Sequence, residues 1–242
     1  MNQDTLVVVP SRLAATRLPN KPILPIGQKS MIRHVIQRVK ESGFTNILLA
    51  SGDQEIIDEV APDNIFTILT DPNLPSGTDR VHAGAKAFDK EGKFKYIVNL
   101  QGDMPNFDPH IIGECVKVLA ESRSDIATLC APTTLEDAEK FSVVKPVFGE
   151  VKNGIARAFY FSRSKVPYFA EEFYHHLGIY AFKRESLDKF VSLPQAKMEL
   201  EEKLEQLRAL ENGMTISIGF TKHVPISVDT PDDLENARNL LA

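Results

Sequence analysis

Several residue types and motifs are scarce in this sequence of 242 residues. It has no tryptophan and only two cysteines, Cys115 and Cys130, which lie in apolar surroundings without the spacing of a metal site. The GxGxxG and GxxxxGK[ST] motifs are both missing, and so are HExxH and paired-cysteine zinc motifs. These absences disfavour a zinc site, a P-loop enzyme and a nicotinamide-binding enzyme, and we expect both cysteines to be reduced core residues.

Long hydrophobic runs are also missing. No apolar stretch approaches the roughly 18 residues needed to cross a bilayer. The N-terminus MNQDTLVVVP lacks the basic region and long apolar core of a signal peptide. The formal net charge of -5 disfavours broad electrostatic binding to nucleic acid or to an anionic membrane. We therefore predict a soluble, cytoplasmic protein without nucleic-acid or membrane partners.

Three cations stand close together near the N-terminus, against the acidic balance of the whole chain. Arg12, Arg17 and Lys21 follow an apolar run at 5–9, in the segment VVVPSRLAATRLPNKP, which its prolines stiffen. Arginine has a planar guanidinium that can donate two parallel hydrogen bonds to phosphate, and lysine acts as a point charge. One loop with these three side chains could enclose a triphosphate, whereas each cation taken alone is more simply a solvent-exposed charge.

Strand-like apolar segments alternate with amphipathic helices over the first half of the chain. Buried strands are predicted at 5–9, 46–50, 65–69, 96–100 and 126–130, and helices after Ser30, over 78–87 and from Asp108. This alternation favours an α/β fold with a mostly parallel, Rossmann-like sheet and helices on both faces.

The alternation of strands and helices ends after the strand at 126–130. The expected elements are a hairpin over 143–161, helices at 185–192 and 197–211, a strand at 215–219 and a helix at 231–241. We predict one domain, 1–242, with an inserted β-rich and helical segment at about 135–195.

Polar segments follow several of the predicted strands, where open α/β sheets bind ligands. Asp103 follows the strand at 96–100, and Asp229 precedes a helix that Thr230 caps; such carboxylates are suited to hold Mg²⁺ against phosphates. The segment LPSGTDR at 74–80 offers hydroxyls and backbone amides to a base edge, or is only a turn and helix cap. Of the adjacent His175 and His176, at most one can point into a site, because neighbours in a strand face opposite ways.

Seven segments together resemble the sugar-activating cytidylyltransferases, and most closely the 3-deoxy-manno-octulosonate (Kdo) cytidylyltransferase family. In chain order they are PSRLAATRLPNKP, LPSGTDR, VNLQGDMP, FSRSKVP, HHLGIYAF, LEQLRAL and VPISVDTPDDLENAR. The first segment suggests any nucleotidylyltransferase, while HLGIY with LEQLR and VDTPDDL is far more specific. The resemblance covers nearly the whole chain.

This resemblance implies a fold of the nucleotide-diphospho-sugar transferase type, Mg²⁺ as cofactor, CTP and Kdo as substrates, and a homodimer paired partly through the inserted segment. The implied reaction gives CMP-Kdo and pyrophosphate for lipopolysaccharide biosynthesis. The implied CTP-binding residues are Pro10, Arg12, Arg17, Lys21, Ser76, Gly77 and Gln101. The implied sugar-binding residues are Gln101, Arg163, His176, Tyr180, Glu205 and Gln206. Asp103 and Asp229 would bind the metal, and with Arg17 and Lys21 would form the catalytic set.

Alternatives stay open at this point. Met104 stands where the family often has glutamate, and His175 beside His176 leaves open which ring faces the sugar. A related acid sugar, such as 8-amino-Kdo or a sialic-type sugar, is the alternative substrate. A non-catalytic nucleotide-sugar-binding protein would be expected to lose Asp103, Asp229 or Lys21, and all three are present.

Overall fold

A computed structural model of the protein describes residues 2–14 and 17–241, so residues 15 and 16 of PSRLAATRLPNKP lie outside the described residues. The strands are β1 (Thr5–Ser11), β2 (Pro25–Ile26), β3 (Lys29–Ser30), β4 (Ile47–Ser51), β5 (Phe66–Leu69), β6 (Tyr96–Leu100), β7 (Ile126–Thr133), β8 (Lys145–Phe148), β9 (Ile155–Ser162), β10 (Phe173–Lys183) and β11 (Ile216–Phe220). The helices are α1 (Met31–Glu41), α2 (Gln54–Val60), α3 (Gly77–Phe88), α4 (His110–Glu121), α5 (Leu135–Ala138), α6 (Arg184–Ser192), α7 (Lys197–Glu202), α8 (Leu207–Glu211) and α9 (Pro231–Leu241). These elements confirm the predicted α/β class.

The chain divides into two compact units. The first comprises residues 1–112 and 225–242, and the second comprises residues 113–224, so the boundary falls within α4. The second unit contains the whole segment at about 135–195 that was predicted as an insertion within a single domain. The second unit is longer than that insertion because β10 pairs with β7 and β9 pairs with β11, which brings both flanking strands into the same unit.

The first unit contains a parallel sheet whose strand order, in its described part, is β5-β4-β1-β6. Val7 in β1 lies opposite both Ile47 in β4 and Val98 in β6. β1 is buried along its whole length, as its continuous apolar run predicts for a strand covered on both faces. The chain runs from β1 to β4 and β5 on one side and then crosses to β6 on the other side of β1, so ligand-binding segments are expected beyond the carboxyl ends of β1 and β6.

The second unit has a mixed sheet in the order β10-β7-β11-β9-β8. β11 runs parallel to β7, and the other neighbours are antiparallel. The predicted hairpin over 143–161 is confirmed as β8 and β9. β10 is longer than the apolar segment that predicted it, and its pairing with β7 shifts register between Leu177 and Tyr180.

Two expectations about helices need correction. The sequence did not predict α2, and the single helix predicted over 197–211 is wrong, because the chain breaks between α7 and α8. Lys203 adopts a left-handed conformation with φ of 56°, and Arg163 donates hydrogen bonds to the carbonyls of Glu202 and Lys203 at the break. Glu205 and Gln206 therefore lie in the turn between two helices. Within residues 2–14 and 17–241, no helix has both the length and the apolar composition needed to cross a membrane.

Candidate active site

One cavity of about 330 Å³ in the first unit collects the residues that were predicted to bind CTP and metal. Its wall is formed by the end of β1, the segment after β1, the start of α3, the segment after β6 and the segment before α9. The predicted residues that line it are Pro10, Arg12, Arg17, Lys21, Ser76, Gly77, Gln101, Asp103 and Asp229. Residues far apart in the sequence thus meet where the topology of the sheet places a ligand site.

Lys21 lies at the centre of the charged part of this cavity. Its ammonium group is 3.0 Å from Asp103 Oδ2 and 3.0 Å from Asp229 Oδ1, so the two carboxylate oxygens are at most twice that distance apart. Arg17 adds a contact of 3.1 Å to the other oxygen of Asp229. Burial lowers the pKa of Lys21, but the two carboxylates more than offset it, and the pKa is raised. Lys21 is therefore a cation held between two anions.

The local structure around Asp229 explains why its carboxylate is available to Lys21. Thr230 caps α9, since its hydroxyl accepts from the Asp233 amide at 3.2 Å, while the Asp233 carboxylate accepts from the Asp229 and Thr230 amides. The Val228 amide donates to the Asp103 carbonyl at 2.9 Å, which ties the two carboxylate-bearing segments together. Burial would raise the pKa of Asp229, but Lys21 and then Arg17 outweigh it and lower that pKa.

The carboxylate pair fits a Mg²⁺ ion that substrate also coordinates. In the described part of the chain, no group of three or more His, Cys, Asp or Glu side chains could hold a metal ion by itself. Mg²⁺ is usually held by one or two carboxylates together with phosphate oxygens and water. Asp103 and Asp229 match that donor set in number and in chemistry.

Another part of the cavity wall comes from the start of α3 and the segment after β6. The Ser76 hydroxyl caps α3 by accepting from the Asp79 amide at 3.1 Å and donates to the Asp79 carboxylate at 2.6 Å. This hydroxyl is therefore engaged within the protein, and the Ser76–Gly77 segment offers a ligand its backbone. Gln101 donates from its amide nitrogen to Asn99 at 2.9 Å, which orients the side chain of Gln101.

The predicted sugar-binding residues other than Gln101 lie in the second unit. Arg163, at the end of β9, donates to the carbonyls of Glu202, Phe141 and Lys203 at 3.0, 3.0 and 3.3 Å. The Glu202 carboxylate accepts from the Arg163 amide at 2.9 Å, and the buried Lys145 ammonium donates to the Arg163 carbonyl at 2.6 Å. These contacts fix the guanidinium in place, and each terminal nitrogen carries a second hydrogen that a ligand can accept.

The structure brings His176 and Tyr180 together, with ring centroids 5.4 Å apart. Burial raises the pKa of Tyr180, and the nearby charge of Glu205 adds to the effect. Burial also lowers the pKa of His175, whose charged neighbours are Asp137 and Lys145. Of the two adjacent histidines, His176 is the one whose ring contacts Tyr180. Neighbours in a strand face opposite ways, so His175 faces away from it.

Comparison with known proteins identifies the family. The sequence profile of the cytidylyltransferase family matches residues 6–216. The 3-deoxy-manno-octulosonate cytidylyltransferase of Paramagnetospirillum magneticum is 47% identical, over 98% of this chain and 97% of its own length. The enzyme of that name from Methylobacterium radiotolerans is 45% identical over the same shares. The chain belongs to the 3-deoxy-manno-octulosonate cytidylyltransferase family.

One solved structure agrees with this assignment to the Kdo cytidylyltransferase family, and another shares the fold. A CMP:2-keto-3-deoxy-manno-octonic acid synthetase complexed with CTP is 32% identical, with a TM-score of 0.87 over 98% of this chain and 97% of its own. A cytidylyltransferase from Leptospira borgpetersenii, 18% identical with a TM-score of 0.64 over 97% of this chain and 85% of its own, shares the fold.

Two residues of this Kdo cytidylyltransferase family member were not predicted as site residues. Arg80 lines the cavity and donates to the Thr70 hydroxyl and to the Asp71 carbonyl. With Arg12, Arg17 and Lys21, it is the fourth cation of the cavity wall. Burial and then the charge of Arg12 lower the pKa of Arg80. Asp53 precedes α2 like a cap, but its carboxylate accepts from the Leu13 amide at 2.8 Å and so anchors the segment after β1. Arg80 ends the segment LPSGTDR, in which it was not singled out, and Asp53 gives no signal in sequence.

Met104, the residue that departs from the family pattern, is 3% exposed. Its side chain packs in the interior of the protein. The neighbouring Asp103 carboxylate, with 23% of its side chain exposed, still reaches the cavity.

Proposed function

We propose that this protein transfers the cytidylyl group of CTP to Kdo, giving CMP-Kdo and pyrophosphate for lipopolysaccharide biosynthesis. One observation carries the proposal: Lys21, Asp103 and Asp229 meet within hydrogen-bond distance in a cavity that also has Arg12 and Arg17 on its wall. Cations bind the phosphates of a nucleoside triphosphate, and paired carboxylates bind the divalent ion that accompanies it.

The reaction is an in-line displacement at the α-phosphorus. The anomeric hydroxyl of Kdo forms a bond to phosphorus as the bond to pyrophosphate breaks, and the hydroxyl proton passes to solvent. Arg12, Arg17 and Lys21 hold the phosphates and stabilise the charge that develops on their oxygens. Asp103 and Asp229 would hold Mg²⁺, which when bound would supply positive charge to the phosphates and would lower the pKa of the attacking hydroxyl.

Recognition of the sugar is assigned to the second unit. Kdo carries a carboxylate beside its anomeric carbon, and Arg163 supplies a cation whose position is fixed by several backbone contacts. Gln206 is 6% exposed, and its Nε2 has no hydrogen-bond partner in the described part of the chain. Because buried donors are almost always paired, we infer that Nε2 donates to a hydroxyl of the bound sugar.

The test crosses nucleotides with sugars in a pyrophosphate-release assay. CTP, UTP, ATP and GTP are each combined with Kdo, 8-amino-Kdo and a sialic acid. We expect CTP with Kdo to give the highest kcat/KM, and UTP to be poor because its 4-position presents an acceptor where cytosine presents a donor. Equal kcat/KM for ATP and CTP contradicts the nucleotide assignment, and a preference for another acid sugar contradicts the substrate.

We also propose that the protein acts in the cytoplasm as a homodimer paired through the second unit. Tyr168 and Phe169 are each 93% exposed. They belong to the same loop as Pro167, which lines a cavity of about 470 Å³ together with Phe148 and Tyr174. Exposed aromatic side chains beside an apolar cavity suit a reciprocal contact between two copies.

Light scattering after size-exclusion chromatography tests the homodimer. We expect wild type at twice the chain mass of 27.0 kDa. The double substitution Tyr168→Glu and Phe169→Glu should give the single-chain mass. The control Leu135→Glu, at another exposed apolar residue of the second unit, should stay at the mass of two chains. A wild-type monomer, or an unchanged mass for the double variant, contradicts the proposed interface.

A further inference from the structure

A buried hydroxyl lies at the irregular point of the sheet in the second unit. The pairing of β10 with β7 skips Gly178 and Ile179, so this part of β10 bulges away from the regular ladder. Thr128 of β7 is fully buried there. Its Oγ1 is 2.7 Å from the Ile179 carbonyl, 3.3 Å from the Leu177 carbonyl and 2.9 Å from Nε2 of His176.

The chemistry of these four groups determines where the protons lie. A hydroxyl has one hydrogen, and a carbonyl oxygen can only accept. The 2.7 Å contact places the Thr128 hydrogen on the bond to the Ile179 carbonyl, because two oxygens at that distance need a hydrogen between them. Oγ1 is then an acceptor toward His176, so Nε2 of His176 must donate.

We propose that Thr128 sets the tautomer of His176, so that the neutral ring holds its proton on Nε2 and presents Nδ1 as a hydrogen-bond acceptor to a hydroxyl of the sugar. This inference rests on the proposed function, because it assigns His176 to the sugar. Thr128 acts through His176 and is a positioning residue.

The surroundings of His176 keep the ring neutral and fixed. Burial, and then the neighbouring His175, lower the pKa of His176 to about 3, so the ring carries no charge at neutral pH. The ring packs edge-on against Phe161 at 5.0 Å, and the His176 amide donates to the Val144 carbonyl at 2.9 Å. Because Nε2 donates to Thr128, Nδ1 is the ring nitrogen that keeps its lone pair and can accept a hydrogen bond.

An acceptor at Nδ1 discriminates between the groups of an acid sugar. A hydroxyl can donate to it, whereas a carboxylate offers only acceptors and is repelled. The carboxylate of the sugar is therefore left to Arg163. His176 accepts a hydrogen bond from a hydroxyl, and Thr128 determines that Nδ1 binds a donor group rather than an acceptor group.

Nitrogen NMR on the intact ¹⁵N-labelled protein tests the tautomer without any sugar. Long-range proton–nitrogen correlations separate a protonated ring nitrogen from an unprotonated one, and the His176 signals are assigned by their loss in His176→Gln. We expect wild type to show a protonated Nε2 and an unprotonated Nδ1. A wild-type ring with its proton on Nδ1 overturns the proposal, whatever the variants do.

Two substitutions connect the tautomer to the sugar. Thr128→Val keeps the shape and removes the hydroxyl, so we expect a shifted tautomer and a KM for Kdo raised about three- to tenfold, with the KM for CTP nearly unchanged. Thr128→Ser keeps the hydroxyl, and should therefore show the wild-type tautomer and the wild-type KM for Kdo. Equal changes of both KM values in Thr128→Val, or no change of tautomer, overturn the proposal. If wild type shows the expected tautomer but no Kdo-dependent activity, the proposed function fails and the assignment of the proton stands.

Discussion

Lys21→Met should weaken catalysis and strengthen metal binding at the same time. The Lys21 ammonium lies between Asp103 and Asp229, where a divalent cation would also bind. A metal ion that binds without nucleotide must therefore displace the ammonium. Methionine fills similar volume without charge and leaves the two carboxylates open to the metal, but it removes a phosphate contact.

The size of the gain follows from the two distances. At 3.0 Å in a water-like dielectric, each contact of Lys21 is worth about 1.4 kcal/mol, or about tenfold in affinity. The Asp103 and Asp229 side chains are 23% and 37% exposed, so salt and solvent screen both contacts. We therefore expect about a tenfold tighter binding of the metal in total, together with a turnover at least about a hundredfold lower.

Mn²⁺ serves as the probe, because the electron paramagnetic resonance signal of the free ion gives its dissociation constant directly. Lys93→Met is the matched control, since Lys93 is 71% exposed and its loss changes the net charge by the same amount. Lys21→Arg keeps the charge and should bind Mn²⁺ like wild type. If Lys21→Met binds Mn²⁺ no more tightly than Lys93→Met, the ammonium does not compete with the metal and this reasoning is refuted.

Three further substitutions test separate parts of the structure. Asp103→Asn should lower turnover at limiting Mg²⁺ by at least about a hundredfold, as steady-state kinetics will show. Arg163→Lys keeps the charge but loses the planar guanidinium with its paired N–H donors. It should raise the KM for Kdo at least about tenfold and leave the KM for CTP nearly unchanged. Glu199→Gln breaks the buried pair with Arg208 (2.6 Å) and should cost about 3–5 kcal/mol in denaturant unfolding. Burial raises the pKa of Glu199, but the hydrogen bonds from Arg208 outweigh it, so the pKa is lowered. The difference in unfolding free energy between wild type and Glu199→Gln should therefore be fully present above the ordinary pKa of glutamate, and should shrink as the pH falls through the lowered pKa.

The first half of the fold could be predicted because its patterns are local. The run 5–9 is apolar on both faces, and α1 carries Met31, Ile32, Val35 and Ile36 on one buried side. The cations after β1 stand out because they follow a strand in an acidic chain. Their clustering in sequence was enough to predict an anion site.

Contacts between distant residues could not be predicted in the same way. Lys21 meets aspartates 82 and 208 positions away, and no local pattern encodes such a distance. Lys203 adopts a left-handed conformation that its residue type does not favour, so the break between α7 and α8 gives no signal in sequence. The role of Thr128 depends on a bulge in the neighbouring strand, and a bulge is a property of pairing.

Phosphorus NMR of one reaction mixture tests the transfer of the cytidylyl group to the sugar most directly. The purified protein is incubated with CTP, Mg²⁺ and Kdo, and with CTP and Mg²⁺ alone. We predict that the three CTP signals are replaced by pyrophosphate and by a single phosphodiester signal, only when Kdo is present. Release of CMP without Kdo, of CDP with inorganic phosphate, or of no phosphorus product at all would contradict the account.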